Sequence, residues 1–354
     1  MKQAITLAGK AKGATFPNPL VGCVIVKKNK VISKAFHEEF GGPHAEAIAL
    51  KKAGKKAKGA TLYVSLEPCS YFGKTPACTD DIVRSKIKRV VVAMEDPNPL
   101  NSGRGLKILR HHNIKVSTNV MRLEAMSINT EFIKRMKSKR PFITLKLAQS
   151  LDGKIATKNG DSKWISSKSS RERVQLFRKK HDAIMIGVNT LIKDNPLLTI
   201  RKCKRQPVAV ILDSNLKSPI TSKIFSSTKS RKVIVATTNK ASCQRESVLQ
   251  SKGIKVLRAG LGKNVNLRFL LKQLIKEGVG SILVEGGGQI ASSLLKESLV
   301  DKIYLFIAPI IIGGKESIGS FNGKGVDRVK AAYRLKNMKF ERIDSDILIE
   351  GECI

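Results

Sequence analysis

The chain is poor in aromatic residues, in acid and in cysteine. Aromatic side chains make up 5% of its 354 residues, with one Trp, which leaves few platforms for stacking nucleic-acid bases. Six Cys are too sparse for a disulfide scaffold, and in a reducing compartment such residues more often hold metal or do chemistry. The longest apolar run, Ile303 to Ile312, contains Pro309 and falls well short of the ~20 residues a membrane span needs. Acidic residues number 28 against 66 Lys and Arg, a net charge of +38, and none precedes Glu38. An acid-free start has a transit-peptide flavour, but the apolar piece Ala4–Ala8 ends at Gly9 and Lys10, too short for a secretory signal. The expectation is a soluble, cytoplasmic protein that does not contact membrane.

What is present is enough apolar material for a core, 42% of the chain, in a length that suggests two domains. The basic residues are spread along the whole chain and are mostly Lys. No Arg-rich arm stands out, so a solvated surface explains the charge better than a nucleic-acid footprint. The same charge attracts anionic small molecules.

Residues 1–138 read as one α/β unit. Val21–Val26 and Val31–Ala35 form a hairpin pattern, and Thr61–Leu66 and Val90–Met94 read as further strands. Helices are expected over His44–Ala53, Thr79–Lys86, Gly105–His112 and Met121–Lys137. The basic segment ending at Arg140 and Pro141 marks a boundary. Residues 139–354 then alternate strands with helices, from Phe142–Leu147 through Ser281–Glu285 to Asp301–Ile307. That alternation argues a largely parallel α/β sheet.

The sharpest constellation is His44-Ala45-Glu46, then Glu67-Pro68-Cys69, then Cys78. One His and two Cys supply three zinc ligands and leave a fourth position for water. Zinc lowers the pKa of water. Glu46, two residues from His44 on the same helix, is placed to take that water's proton and deliver it to a leaving amino group. This is the logic of the zinc nucleobase deaminases, although eight residues separate the two Cys here rather than two.

Three further segments carry a resemblance: Thr15-Phe16-Pro17-Asn18-Pro19-Leu20-Val21-Gly22, Gly73-Lys74-Thr75-Pro76-Ala77-Cys78 and Asp96-Pro97-Asn98-Pro99. With the site above they are similar to the deaminase domain of the bifunctional deaminase-reductase family of riboflavin biosynthesis. The resemblance implies an N-terminal cytidine-deaminase-like zinc domain, with ligands His44, Cys69 and Cys78, Glu46 as proton shuttle, and Asn18, Tyr71 and Lys74 on the substrate. Tyr71 stands where the family has His, and Ala77 where it has Pro.

In the second half, Val284-Glu285-Gly286-Gly287-Gly288 follows a strand and opens a helix. Such a turn lets backbone approach phosphate at a helix N-terminus, though alone it is also an ordinary strand–helix turn. Residues 142–156, Trp164-Ile165-Ser166-Ser167 and Asp194-Asn195-Pro196-Leu197-Leu198-Thr199 resemble the reductase domain of the same family, which implies a dihydrofolate-reductase-like fold and NADPH. The resemblance places cofactor contacts on Ala148, Trp164, Thr190, Asp194, Ser214 and the loop Gly287-Gly288-Gln289-Ile290-Ala291-Ser292-Ser293. Its substrate contacts fall on Ser162, Arg178, Leu198, Arg201 and Glu285, with Lys154 and Glu285 as reductase-site catalytic residues. Judged without the family, the lone Trp164 fits core or cofactor wall equally. Cys23, Cys203, Cys243 and Cys353 read as ordinary thiols; His37, His111, His112 and His181 read as surface or packing residues.

The expected activity is deamination of 2,5-diamino-6-(5-phosphoribosylamino)pyrimidin-4-one followed by NADPH-dependent reduction of the ribosyl chain to ribityl. The partner is then a phosphorylated pyrimidine rather than nucleic acid. The number of copies in the assembly stays open. The alternatives are a nucleic-acid-editing zinc deaminase, suggested by the His-x-Glu and Pro-Cys pairing and the charge, and a member that keeps the reductase activity only.

Overall fold

The computed structural model describes residues 1–11, 14–15, 17–71 and 76–354. The chain divides into two compact units, Met1–Lys139 and Arg140–Ile354.

In the first unit, α1 (Lys2–Gly9) leads into the hairpin β1 (Gly22–Lys27) and β2 (Lys30–Phe36). Lys28 and Asn29 close it, both with positive φ, the two-residue turn whose twist suits antiparallel strands. There follow α2 (Ala45–Ala53), β3 (Thr61–Val64), α3 (Cys78–Arg84), β4 (Arg89–Val92), α4 (Arg104–His111), β5 (Lys115–Ser117), α5 (Arg122–Ile128) and α6 (Thr130–Ser138). Among the described residues the sheet order is β2-β1-β3-β4-β5, with β3, β4 and β5 parallel.

One face of this sheet takes Cys23, Ile25, Leu62, Val64, Val90 and Val92 against Ala45 and Ala49 of α2, Ile82 of α3 and Leu106 and Leu109 of α4. A separate cluster joins Ile5 of α1 and Ala125 of α5 to Leu66 and Met94. The consecutive buried Val90, Val91 and Val92 of β4 are what a strand covered on both faces requires. Helix α1 crosses directly over Gly22, where a Cβ would collide with the carbonyl of Ala4.

The single helix expected over Met121–Lys137 is two. Asn129 breaks it: its Oδ1 accepts from the N–H of Leu20 at 2.8 Å and its Nδ2 donates to Leu20 O at 3.0 Å. A buried asparagine that completes a distant segment's backbone bonds outweighs local periodicity.

The second unit runs β6 (Phe142–Ser150), β7 (Lys154–Ala156), α7 (Lys168–Lys179), β8 (Ala183–Gly187), α8 (Val188–Asp194), β9 (Val208–Leu212), β10 (Val233–Thr237), α9 (Cys243–Ser251), β11 (Lys255–Arg258), α10 (Leu267–Lys276), β12 (Ser281–Val284), α11 (Gly288–Lys296), β13 (Lys302–Ala308), β14 (Ile318–Gly319), β15 (Leu335–Ile343) and β16 (Asp346–Cys353). Among the described residues the large sheet has the order β11-β10-β9-β8-β12-β6-β13-β16-β15. All pairs from β11 to β13 are parallel; β16 and β15 add an antiparallel edge.

Alternation again sorts the strands. Ala183 and Met185 of β8 join the cluster under α10 and α11, while Ile184 and Ile186 join the opposite one with Leu191 and Leu249. The chain builds outward from β6 to β11, then returns to insert β12 between β8 and β6. Such a reversal leaves a crevice beyond the carboxyl ends of the strands, where ligands of open α/β sheets bind. No helix among the described residues is long and apolar enough to cross a membrane.

Candidate active sites

In the first unit, the sequence delivers its three ligand candidates from two helix starts and one loop. His44 is the N-cap of α2, its backbone extended at φ −71° and ψ 159°. Cys78 is the first residue of α3. Cys69 follows the turn after β3, and its Sγ accepts the N–H of Cys78 at 3.2 Å. His44 Nδ1 lies 3.1 Å from Cys78 Sγ and 3.5 Å from Cys69 Sγ, and the three ligand atoms all lie within 4.8 Å of one another. Tetrahedral zinc with bonds of about 2.0–2.3 Å sets its ligands roughly 3.5–3.8 Å apart, so this donor set fits the ion. The S–H of Cys78 and the nearby His44 hold the Cys69 thiol well below its ordinary value, the direction a metal ligand needs.

Glu46 is 3% exposed, and among the described residues its Oε2 has no hydrogen-bond partner. Burial pushes its carboxyl up to about 7 against the pull of His44. A buried carboxylate oxygen left without a donor is rare, and such groups concentrate at working sites.

His44, Cys69 and Glu46 line a cavity of about 320 Å³ together with Asn18, Tyr71, Asn98, Phe132, Arg135 and Met136. Tyr71 is 41% exposed, and Asn98 Nδ2 donates to its hydroxyl at 3.4 Å. Lys74 lies outside the described residues. His37 corrects the sequence reading: it is no mere packing residue but lines this cavity. Its Nδ1 donates to Pro43 O at 3.0 Å, which leaves Nε2 to accept from Asn18 Nδ2 at 3.0 Å. Arg135 of α6 also donates to Pro17 O. Neither His37 nor Arg135 has a local motif, since each reaches the cavity only through tertiary packing.

In the second unit, Ser214, Thr190 and Glu285 come after β9, β8 and β12, and Ala148 lies on β6. Gly287 is the N-cap of α11, and among the described residues no side-chain cap bond is made there. A Cβ on Gly288 would lie 2.6 Å from Gly319 O, because the β7–β14 ribbon packs backbone to backbone there. That open glycine turn suits a cofactor's phosphates. Ser293 Oγ donates to Gln289 O at 2.8 Å within the same helix. Ser214 follows β9, its carbonyl accepting from the hydroxyls of Thr237 and Thr238. Thr190 lies on α8, and Asp194 ends it, exposed. Trp164 is 71% exposed, with the Arg171 guanidinium 4.4 Å over its ring, so it is not core.

Arg178 and Glu285 form a bidentate ion pair at 2.7 and 2.8 Å, both largely buried. Burial alone would push the Glu285 carboxyl up; the charge and hydrogen bonds of Arg178 win and hold it below its ordinary value. The third nitrogen of Arg178 donates to Thr199 O at 3.0 Å, beside buried Leu198. Arg201 is exposed, its backbone N–H bonded to Gln175 Oε1. Lys154 opens β7, opposite Gly319 and next to the glycine turn, with its N–H on Ser150 Oγ. Ser162 is half-buried in the segment before α7.

Lys146 of β6 was not singled out by sequence. Burial lowers its ammonium against the pull of Glu285, and its Nζ sits 5.6 Å from the Phe306 ring centre. A lysine inside an apolar strand is the signal that could have found it.

Comparison with known proteins assigns both units. Residues 1–94 match the cytidine and deoxycytidylate deaminase zinc-binding region, and residues 141–349 match the RibD C-terminal domain. The riboflavin biosynthesis protein RibD of Aquifex aeolicus is 45% identical over 99% of this chain and 96% of its own length. A solved RibD of Acinetobacter baumannii superposes with a TM-score of 0.90 at 35% identity, covering 100% of this chain and 97% of that one. A diaminohydroxyphosphoribosylaminopyrimidine deaminase/5-amino-6-(5-phosphoribosylamino)uracil reductase of Thermotoga maritima superposes at 0.85 with 38% identity, again over 100% and 97%.

Proposed function

The chain belongs to the RibD family of bifunctional riboflavin-biosynthesis enzymes, with a zinc-binding deaminase domain and an NADPH-using reductase domain, and from that premise we propose how its residues divide the work. The deaminase half acts on a free phosphorylated diaminopyrimidinone rather than on nucleic acid. Its cavity has the size of a small-molecule site.

His44, Cys69 and Cys78 hold zinc, which when bound supplies the Lewis acidity that makes water nucleophilic near neutral pH. Glu46 moves the protons: it takes one from the attacking water and returns it to the amino group, which leaves as ammonia. A carboxyl raised to about 7 is matched to both tasks. His37, its tautomer fixed by Pro43 O, accepts from the Asn18 amide and so turns Asn18 Oδ1 toward substrate. Tyr71 donates to the base or sugar. Arg135 and Lys74 supply charge for the phosphate.

In the reductase half, NADPH when bound supplies hydride to C1′ of the ribosyl group. The loop Gly287–Ser293, Ala148, Trp164, Thr190, Asp194 and Ser214 hold it. Glu285, kept ionised by Arg178, orients the sugar rather than protonating it. The proton for the opening ring oxygen then comes from an ammonium: Lys154 beside the glycine turn, or Lys146 beside Glu285. Arg201 takes the substrate phosphate, since the fork of Arg178 is already occupied. Leu198 and Ser162 complete that wall.

The observation that carries the reading is the His44, Cys69 and Cys78 cluster beside a cavity lined by His44, Cys69 and Glu46, whose Oε2 has no hydrogen-bond partner among the described residues. Mass spectrometry of the diaminopyrimidinone substrate with zinc-loaded protein tests it. A gain of about 1 Da is expected without NADPH, and a further gain of about 2 Da with it. Glu46→Gln should abolish the first gain while zinc stays bound and the deaminated substrate is still reduced. Deamination surviving in that variant would remove Glu46 from its role.

A further inference from the structure

Three consecutive carbonyl oxygens, those of Leu197, Leu198 and Thr199, are held by two guanidinium groups. Arg231, just before β10, donates Nη2 to Leu197 O and Nη1 to Leu198 O at 2.8 Å. Arg178 donates Nη1 to Thr199 O at 3.0 Å, with its other two donors on Glu285. Arg231 is 7% exposed, and its Nε donates to Ser227 Oγ at 3.0 Å. These three acceptors all belong to uncharged groups, so a buried cation is here spent on backbone. Burying a charge is expensive, and carbonyl dipoles return less than a carboxylate would.

The segment it holds is strained. Leu198 has φ +54°, a left-handed conformation that residues with a Cβ avoid, and its side chain is buried. Such a conformation persists only where its surroundings over-determine it. The Arg231 bonds to the carbonyls on either side of the Leu198 α-carbon do that. The next carbonyl, Thr199 O, is the anchor from which Arg178 reaches Glu285.

We propose that Arg231 is a positioning residue of the reductase site: it fixes the Leu197–Thr199 turn, and through Thr199 O it fixes the Arg178–Glu285 pair. It touches neither substrate nor cofactor. The inference rests on the reading that Leu198, Arg201 and Glu285 face the phosphorylated substrate.

The test is steady-state reduction of 5-amino-6-(5-phosphoribosylamino)uracil by the full-length protein, with KM measured separately for this substrate and for NADPH. Arg231→Met, which can hold no carbonyl, should raise the substrate KM about tenfold or more and leave the NADPH KM within about twofold. Arg231→Lys, which can reach one oxygen, should recover part of the loss. Circular dichroism and thermal unfolding of each full-length variant, with the transition of the second unit retained, report that the chain has folded. If Arg231→Met fails to fold, Arg231→Lys carries the test alone, with the substrate KM raised about threefold. An unchanged substrate KM in a folded variant, or equal rises for substrate and NADPH, overturns the proposal. Arg201→Ala run in parallel separates the two levels. If Arg201→Ala raises the substrate KM and Arg231→Met does not, the positioning role alone is wrong. If Arg201→Ala changes nothing, the substrate-facing reading fails, and the positioning role falls with it.

Discussion

Glu67 offers a clean perturbation beside the metal cluster. It is 3% exposed, and its carboxylate accepts three backbone N–H groups: Asp96 at 3.0 Å and Gly103 at 2.9 Å on Oε2, and Gly105 at 3.0 Å on Oε1. One side chain thus ties the exit of β4 and the start of α4 to the turn that carries Cys69. The contact is tight enough that a Cβ on Gly105 would collide with Pro68 O. Glu67→Gln keeps the shape and removes the charge. Its best orientation leaves the amide oxygen on Asp96 and Gly103 and turns its NH2 against the N–H of Gly105. A lost bond to a charged acceptor costs about 1.5–3 kcal/mol, and weakening the other two from charged to neutral adds roughly 0.5–1 kcal/mol each. The sum, about 2.5–5 kcal/mol, is a large share of the 5–15 kcal/mol typical of a domain. Hydrogen exchange of the full-length protein should show lost protection at Asp96, Gly103 and Gly105, and a chelator should strip zinc faster than from wild type. Unchanged protection at all three amides would refute the reasoning, because the carboxylate would then not be what holds them.

Two further outcomes follow from the second unit. Gly288→Ala should raise the NADPH dissociation constant about tenfold or more in a fluorescence titration, because its Cβ would meet only backbone, at 2.6 Å from Gly319 O and 2.9 Å from Asn322 N, and no side chain can rotate away; unaltered affinity would mean the turn shifts without cost. The Glu285 carboxyl is held below its ordinary value of 4.5, so below pH 4.5 the unfolded chain binds the extra proton. Stability from this group is therefore complete above pH 4.5 and lost as pH falls through the lower folded value. The urea midpoint should drop on acidification below pH 4.5, and Glu285→Gln should flatten that drop; an identical drop in both proteins would show that other carboxylates carry it.

Much of the molecule was legible because its signals are local. Paired strand and helix periodicities give the alternating α/β order, and the Lys28-Asn29 turn marks its hairpin. His44 and Glu46 share one helix start, and Cys69 and Cys78 bracket one loop, so short-range spacing alone implied a zinc site. The glycine run at 286–288 was visible for the same reason. The break at Asn129 was not, because its partner is Leu20, 109 residues away.

The sequence by itself determined the residue chemistry available: a metal donor set, a proton-carrying carboxylate, a phosphate-ready glycine turn and an excess of cations. Tertiary structure alone decided which polar groups are used and how. It placed His37 against Asn18, committed Arg178 to Glu285, and spent the buried Arg231 on the carbonyls of a strained turn. The physical reason is that a side chain's role depends on its burial and on which donor or acceptor it meets. Both are set by contacts between segments far apart in the chain, which carry no spacing for a sequence to show.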